Sequence, residues 1–220
     1  LLALQKRSEG KQTAAFEFFM RAAYYGDKPS AGMVAEMLWD GTGTPQDRAQ
    51  AYAWMDLAAE RGYEGFLDLR ERYWEKLDEA DRERAIVVGQ DIYARYGDAA
   101  ALPRIARALR FEKRRMTGSR TGFTGNLRIV VPAPGGGTEE IDGSKFYDER
   151  YWDPVQYQQW HDAIWRKPRV ARVDIGEVRQ LPQPDLNTRI PQVDPIPDDP
   201  GQELPPTDEM PLLNGNPIRP

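Results

Sequence analysis

The sequence predicts a mostly α-helical protein: a solenoid of α/α helical hairpins, then a small irregular C-terminal subdomain and an extended proline-rich tail. Two stretches that end at Gly26 and Gly62 repeat one pattern at a spacing of 36 residues. Every Phe, Tyr and Trp lies at or before Trp165, whereas twelve of the eighteen prolines lie from Pro168 onward. The expected domains are therefore a helical repeat at 1–116, a capping subdomain at 117–167 and a tail at 168–220.

The repeat aligns residues 15–26, AFEFFMRAAYYG, with residues 51–62, AYAWMDLAAERG. Aromatic residues align with aromatic residues, the two Ala-Ala pairs align, and both copies end in glycine. A fixed period of this length is typical of stacked helical arrays, in which each hairpin buries its apolar face against the next one.

The first elements are predicted as a helix end at 1–8, helices at 13–25 and 29–39, and a loop at 41–45. Gly26 suits a C-terminal cap because glycine adopts positive φ at little cost. Asp47 is placed to cap the helix that forms the second copy. Further helices are predicted at 64–75, 81–96 and 102–116. Charges replace the small-residue pattern in the helix at 64–75, as expected of a terminal repeat whose outer face becomes polar.

Beyond Thr117 the predicted elements are short. They are a strand at 127–131 that pairs with 138–141, and helices at 144–151 and 153–166. Asp153 is the expected cap of the second helix, and Pro154 its first residue. In the tail, only 170–178 alternates well enough to suggest a strand.

The two copies, each closing in Ala-Ala-x-x-Gly, resemble the Sel-like repeat family, which is related to tetratricopeptide repeats. The linking residues 33–47, MVAEMLWDGTGTPQD, are similar to that family's second helix and Gly-x-Gly loop. The resemblance covers 13–75 and extends more weakly to 116. It implies a scaffold whose concave surface holds other proteins, and it brings no catalytic residues. The family is common in bacterial proteins outside the cytoplasm, so the periplasm or cell envelope is the expected location.

Composition argues against several kinds of function. The formal net charge of −5 gives no general attraction for nucleic acid. Cysteine is absent and His161 is the single histidine, so we expect no catalytic site, metal or cofactor. No apolar run is long enough to span a membrane. The chain begins at Leu1, so a signal peptide that precedes it would not be visible.

Three groups of residues are candidate partner-binding sites. The first contains aromatic residues of the array, each of which also suits a core: Tyr24, Tyr25, Trp39 and Trp54. The second is a basic stripe at helical spacing: Arg104, Arg107, Arg110 and Arg114. This stripe is a solvated helix face, a dock for the acidic tail or a site for external anions. The third is an aromatic set at 147–165, either an interface or a cap over the end of the array: Trp152, Tyr157, Trp160 and Trp165.

The tail carries nine acidic and five basic residues, a net charge of about −4. Its prolines favour extended structure, and it is either a linker or a segment that docks on this chain, on a neighbouring copy or on a partner. The leading hypothesis is a noncatalytic scaffold or adaptor for protein–protein assembly, with self-association through the tail as one form. The alternative is a cell-envelope glycan-binding or enzyme-accessory protein that uses the aromatic set at 147–165.

Overall fold

The computed structural model describes residues 2–117, 128–132, 138–142, 147–166 and 185–198, which are mostly α-helical. The first helices are α1 Leu2–Ser8, α2 Gln12–Tyr24, α3 Lys28–Asp40, α4 Arg48–Ala59, α5 Glu64–Lys76, α6 Glu79–Tyr96 and α7 Asp98–Thr117. Strands β1 Arg128–Pro132 and β2 Thr138–Asp142 follow, and then helices α8 Glu149–Trp152 and α9 Pro154–Trp165.

The helix boundaries follow from capping residues. Asp27, Asp47 and Asp78 each accept a hydrogen bond from a backbone N–H in the first turn of α3, α4 and α6. Gly26 follows the end of α2 with φ of +84°, and Gly62 lies at the equivalent place after α4 with φ of +69°. The cap at Asp47 and the glycine at 26 are therefore confirmed.

Consecutive helices pack on each other from α1 to α5, and α6 packs on α4. The core holds equivalent small residues of the two copies, since Ala15, Ala51, Ala23 and Ala59 are all buried. Their size lets neighbouring helices approach closely, which is why the Ala-Ala pattern recurs.

Three polar contacts join α4 and the loops beside it to residues 37 positions later. Arg84 donates to Asp47 at 2.8 Å and Tyr93 donates to Asp56 at 3.0 Å. Arg61 donates to both carboxylate oxygens of Asp98, at 2.8 and 2.9 Å. The helix α6 thus lies beside α4 about one repeat length further along the chain.

The chain divides into two compact units. Among the described residues, unit 1 contains 2–102, 165–166 and 185–198, and unit 2 contains 103–117, 128–132, 138–142 and 147–164. Within unit 2, β1 and β2 form an antiparallel pair in which Arg128 lies opposite Asp142. The predicted strand pair and the predicted cap at Asp153, which accepts from Val155 and Gln156, are both present.

Some predicted boundaries differ from the structure. Helix α7 begins at Asp98, four residues before the prediction, and carries Pro103 inside it. The helix predicted at 144–151 is described only as the short α8, and 143–146 lie outside the described residues. The predicted strand at 170–178 also lies outside them. None of the helices in the described part of the chain is long and apolar enough to cross a membrane.

Candidate functional site

A segment of the tail, Asp185–Asp198, lies against the helices of unit 1 without regular secondary structure. We call these residues the tail segment. We call the surface beneath its first half the tail groove, whose lining comes from three helices. The lining residues are Tyr52 and Asp56 of α4, Arg70, Glu71 and Trp74 of α5, and Gly89 and Tyr93 of α6.

Helical spacing brings these residues to one surface. Tyr52 and Asp56 are four positions apart, as are Gly89 and Tyr93, so each pair shares one face of its helix. Because α4 packs against both α5 and α6, the faces of the three helices converge.

Asp56 forms the floor of the groove and is 1% exposed. Its carboxylate accepts hydrogen bonds from the hydroxyls of Tyr93, at 3.0 Å, and Thr188. Arg70 Nη1 lies 3.4 Å from Asp56 Oδ1. Burial raises the pKa of Asp56, although the Thr188 hydroxyl and the Arg70 charge oppose that shift. Burial, and then the charge of Asp56, raises the pKa of Tyr52 to about 12.

Arg70 binds the backbone of the tail segment. Its guanidinium is buried and donates to the carbonyl oxygens of Asp185 and of Asn187, the latter at 3.2 Å. Arg70 also donates to Glu71 at 2.8 Å, so its charge is balanced on two sides. A buried arginine directed at peptide carbonyls can hold an extended chain whatever its side chains are.

Arg189 lies in a clamp of three groove residues. Its two terminal nitrogens donate to the two oxygens of Glu71 at 3.0 and 2.6 Å. The same guanidinium donates to the Tyr52 hydroxyl at 3.1 Å and lies 4.8 Å from the centre of the Trp74 ring. The hydrogen bond with Glu71 is the main reason that the pKa of Arg189 is raised. Burial would raise the pKa of Glu71, but Arg189 and Arg70 outweigh burial and lower it.

Ile190 is the apolar anchor and is 1% exposed. It lies directly over Gly89 in the middle of α6. A Cβ atom added to Gly89 would come within 2.4 Å of Ile190 Cδ1 and 2.9 Å of Cγ1. Glycine costs helix stability at such a position, so its presence here is explained by the close approach of this side chain.

The second half of the tail segment makes fewer contacts. Val193 packs against the core of unit 1, and the Ile196 N–H donates to the Ala94 carbonyl at 2.7 Å. The Tyr24 hydroxyl donates to Asp198 at 3.4 Å. The tail segment therefore extends from α5 across α6 to α2.

A second buried polar cluster connects the helix ends of unit 1. Lys28, 1% exposed, pairs with Glu60 and with Asp98 at 3.0 Å, and Arg61 also binds the Gly26 carbonyl. Burial raises the pKa of Glu60. Burial would do the same for Asp98, but the hydrogen bond and charge of Arg61 and the charge of Lys28 lower its pKa. These groups satisfy one another, so the cluster is a structural element.

The aromatic residues predicted as an interface of the array have different environments. Trp54 is buried and packs on Tyr96 at 4.6 Å between ring centres, as a core residue does. Trp39 stacks on Tyr73 at 4.1 Å. Tyr24 and Tyr25 are half-buried and contact each other edge to face, and Tyr24 also contacts Asp198 of the tail segment. Trp54 borders a cavity of about 360 Å³ with Phe16 and Met20.

The basic stripe on α7 is not one exposed face. Arg107, Arg110 and Arg114 are exposed, but Arg104 is 3% exposed. At about 100° per residue, Arg104 lies about 40° around the helix from the buried Ala108, whereas the other three arginines lie about 100 to 160° from it. The stripe therefore contains three exposed arginines, because its first member falls at the edge of the buried face.

Ring contacts connect much of the aromatic set. In unit 2, Trp152 is buried beside Tyr147, and Trp160 contacts Tyr151 at 5.3 Å and Tyr157 at 6.1 Å. In unit 1, Trp165 stacks on Phe66 at 5.9 Å.

Sequence reasoning missed the groove residues themselves. One signal was available, since Asp56 is a lone acid inside the apolar stretch AYAWMDLAA, where a charge needs a buried partner. Gly89 in the middle of a helix was a second signal. The sequence predicts a polar outer face for the charges of α5, whereas in the structure Arg70 is buried and Glu71 binds Arg189.

Comparison with protein-family models, with curated proteins and with solved structures found no match. The resemblance to Sel-like repeats therefore stays a prediction from the residues that carry it.

Proposed function

We propose that this chain is a noncatalytic helical-repeat scaffold of the Sel-like type, which mediates protein–protein assembly by holding an extended polypeptide in the tail groove. The observation that carries the proposal is the binding of Asp185 and Asn187 by Arg70 through their backbone carbonyls. Contacts to backbone give affinity for an extended chain, and pockets for its side chains give specificity.

The polar groups of the groove are engaged in binding rather than available for a reaction. Asp56 accepts hydrogen bonds from Tyr93 and Thr188 and faces the Arg70 guanidinium. Glu71 accepts from two arginines. Such fully paired groups favour recognition of a ligand with matching donors. From the family resemblance we also place the protein in the bacterial periplasm or cell envelope, which a signal peptide in the precursor before Leu1 would support.

The proposal is tested in a chain whose groove is open. We define the open-groove chain as the full chain with Thr188→Ala, Arg189→Ala and Ile190→Ala. Three proteins are crosslinked in cells of the source organism and affinity-purified. They are the open-groove chain, the open-groove chain that also carries Glu71→Ala, and the open-groove chain that also carries Glu75→Ala. These two residues are glutamates on α5, and Glu75 is exposed one turn away from Glu71.

We expect the open-groove chain to recover specific proteins, Glu71→Ala to reduce that recovery at least about fivefold, and Glu75→Ala to leave it unchanged. Equal recovery with both variants would show that assembly does not use the groove, and we would then abandon the proposal.

A second candidate function is glycan binding by unit 2. It is favoured by the half-buried rings of Tyr151, Tyr157 and Trp160, which lie together with part of their surface exposed. Retention on cell-wall glycan that is lost with Trp160→Ala would support this function, and no retention on any glycan would remove it.

A further inference from the structure

We infer that the tail segment is a built-in competitor for the tail groove, and that the partner is an extended segment of another polypeptide that presents a hydroxyl residue, an arginine and a β-branched aliphatic residue in succession. This inference rests on the proposed function and adds the chemistry of the partner. It follows from the three adjacent side chains that the groove encloses.

The hydroxyl residue is needed because it donates a hydrogen bond to the buried Asp56 carboxylate. The Thr188 hydroxyl donates to this carboxylate and also accepts the Ile190 N–H at 3.0 Å. A ligand with an apolar side chain here would leave a buried acceptor with one donor fewer. Loss of a hydrogen bond to a charged group costs about tenfold or more in affinity. Serine or threonine is therefore required at this position.

The arginine binds a site, formed by Glu71 and Trp74, whose shape fits a planar cation. Two parallel hydrogen bonds reach the two oxygens of Glu71, at 3.0 and 2.6 Å, while the Trp74 ring lies 4.8 Å away. Lysine offers a single charged point and cannot form both hydrogen bonds in one plane. The clamp therefore distinguishes arginine from lysine.

The aliphatic residue fills the space that Gly89 leaves open. Three carbon atoms of Ile190 would lie 2.4 to 3.1 Å from a Cβ at position 89, so the side chain is in direct contact with the α6 backbone. A residue as small as alanine would leave this space unfilled, and an aromatic ring is larger than the isoleucine that fits it.

The contacts of Arg70 and Ile196 use backbone atoms of the tail segment and do not depend on its sequence, which makes replacement by another polypeptide feasible. Side chains of the tail segment add two further contacts, from Val193 and Asp198. Arg70 binds carbonyl oxygens, and Ile196 contributes its N–H while its side chain is 53% exposed. Leu186 is 74% exposed. A foreign segment with the same three central residues can reproduce these contacts. The tail segment competes because it belongs to the same chain, which gives it a high effective concentration.

The test uses a fluorescent peptide with the sequence of residues 185–198, DLNTRIPQVDPIPD, and measures its polarisation with the full chain. We expect the peptide to bind the open-groove chain at least about tenfold more tightly than the wild-type chain, because the wild-type tail segment competes. Peptides with changes equivalent to Thr188→Val, Arg189→Lys or Ile190→Ala should each bind at least about tenfold more weakly. A peptide with a change equivalent to Gln192→Ala is the control, since Gln192 is exposed, and should bind like the original.

Several results would overturn the inference. Equal binding to the wild-type and open-groove chains would show that the tail segment does not compete. Circular dichroism and thermal melting show whether the open-groove chain is folded. If it is folded and the peptide does not bind it, the groove is not a site for a separate polypeptide. Equal binding of all peptides would remove the sequence requirement.

A concentration-dependent dimer of the wild-type chain, lost with Arg189→Ala in sedimentation equilibrium, would assign the groove to a second copy and overturn the choice of a different polypeptide. The inference and the proposed function fail separately. If the open-groove chain captures proteins from cells in a way that depends on Glu71 but does not bind the peptide, only the inference is refuted. Peptide binding without such capture refutes the proposed function alone.

Discussion

Replacing Gly89 with alanine has an effect whose sign depends on the tail segment. In an empty groove, Gly89→Ala would stabilise the protein by about 0.8–1 kcal/mol, because alanine is the better helix former in a helix interior. In the structure, the new Cβ would lie 2.4 Å from Ile190 Cδ1, closer than carbon atoms that are not bonded to each other approach. Ile190 would therefore have to leave its site.

The size of the opposing effect follows from the burial of Ile190. Removing a buried isoleucine side chain from its site costs about 2–3 kcal/mol of transfer free energy. After the gain in helix propensity, Gly89→Ala should lower the free energy of unfolding by about 1–2 kcal/mol. In a chain that already carries Ile190→Ala, Gly89→Ala should raise the free energy of unfolding by up to about 1 kcal/mol.

The measurement is a double-mutant cycle in urea, followed by circular dichroism, with the wild type, the two single variants and the double variant. Gly65→Ala provides the control, because Gly65 is exposed on α5 and a Cβ there would meet no atom within 4 Å. It should stabilise the chain by a few tenths of a kcal/mol to about 1 kcal/mol, whatever residue 190 is.

The reasoning would be refuted by a Gly89→Ala variant that is stabilised to the same extent with isoleucine and with alanine at position 190. That result would mean that Ile190 does not lie over α6 in solution.

Three further predictions concern the contacts around the groove and the buried charges. First, the lowered pKa of Glu71 means that its carboxylate stabilises the fold above its ordinary pKa of 4.5 and loses this contribution as pH falls through the lower folded value. The stability difference between wild type and Glu71→Gln should therefore be full at pH 7 and shrink below about pH 4.5 in urea titrations, and a pH-independent difference would contradict the assignment. Second, Lys28→Met should cost about 3–5 kcal/mol at pH 7, because Glu60 and Asp98 lose a buried partner. This cost should decrease at low pH as Glu60, whose pKa is raised, takes up a proton, whereas a loss below 1 kcal/mol at pH 7 would count against the cluster. Third, trypsin should cut after Arg189 at least about thirtyfold faster in Gly89→Ala than in the wild type, since about 2 kcal/mol of lost docking free energy corresponds to that factor. Mass spectrometry follows this cut, and Gly65→Ala should leave its rate unchanged.

The local parts of the fold could be predicted from the sequence. The two repeat copies form α2 and α4, in which the equivalent residues Ala23 and Ala59 are buried, and the final glycines of both copies adopt positive φ. Asp47 and Asp153 cap the helices they precede. Each of these features depends on residues within a few positions of one another, so a pattern in the sequence contains the information.

The tail groove could not be predicted in this way. Asp56, Arg70, Tyr93 and Thr188 meet only after α4, α5 and α6 have packed, and the contact between Thr188 and Asp56 joins residues 132 positions apart. Composition describes the tail as proline-rich and free of aromatic anchors and predicts extended structure, and the described residues 185–198 have no regular secondary structure. It does not reveal that three adjacent residues match a buried carboxylate, a planar cation site and a glycine.

The nuclear Overhauser effect between the Ile190 δ1 methyl group and the Gly89 α protons tests the occupied groove most directly. In the wild-type chain we expect a strong nuclear Overhauser effect between these protons and further nuclear Overhauser effects from the Ile190 methyl group to protons of Tyr93. All of these signals should be lost with Gly89→Ala and retained with Gly65→Ala. An Ile190 methyl group with a random-coil shift and no effect to any proton of α6 would contradict the occupied groove.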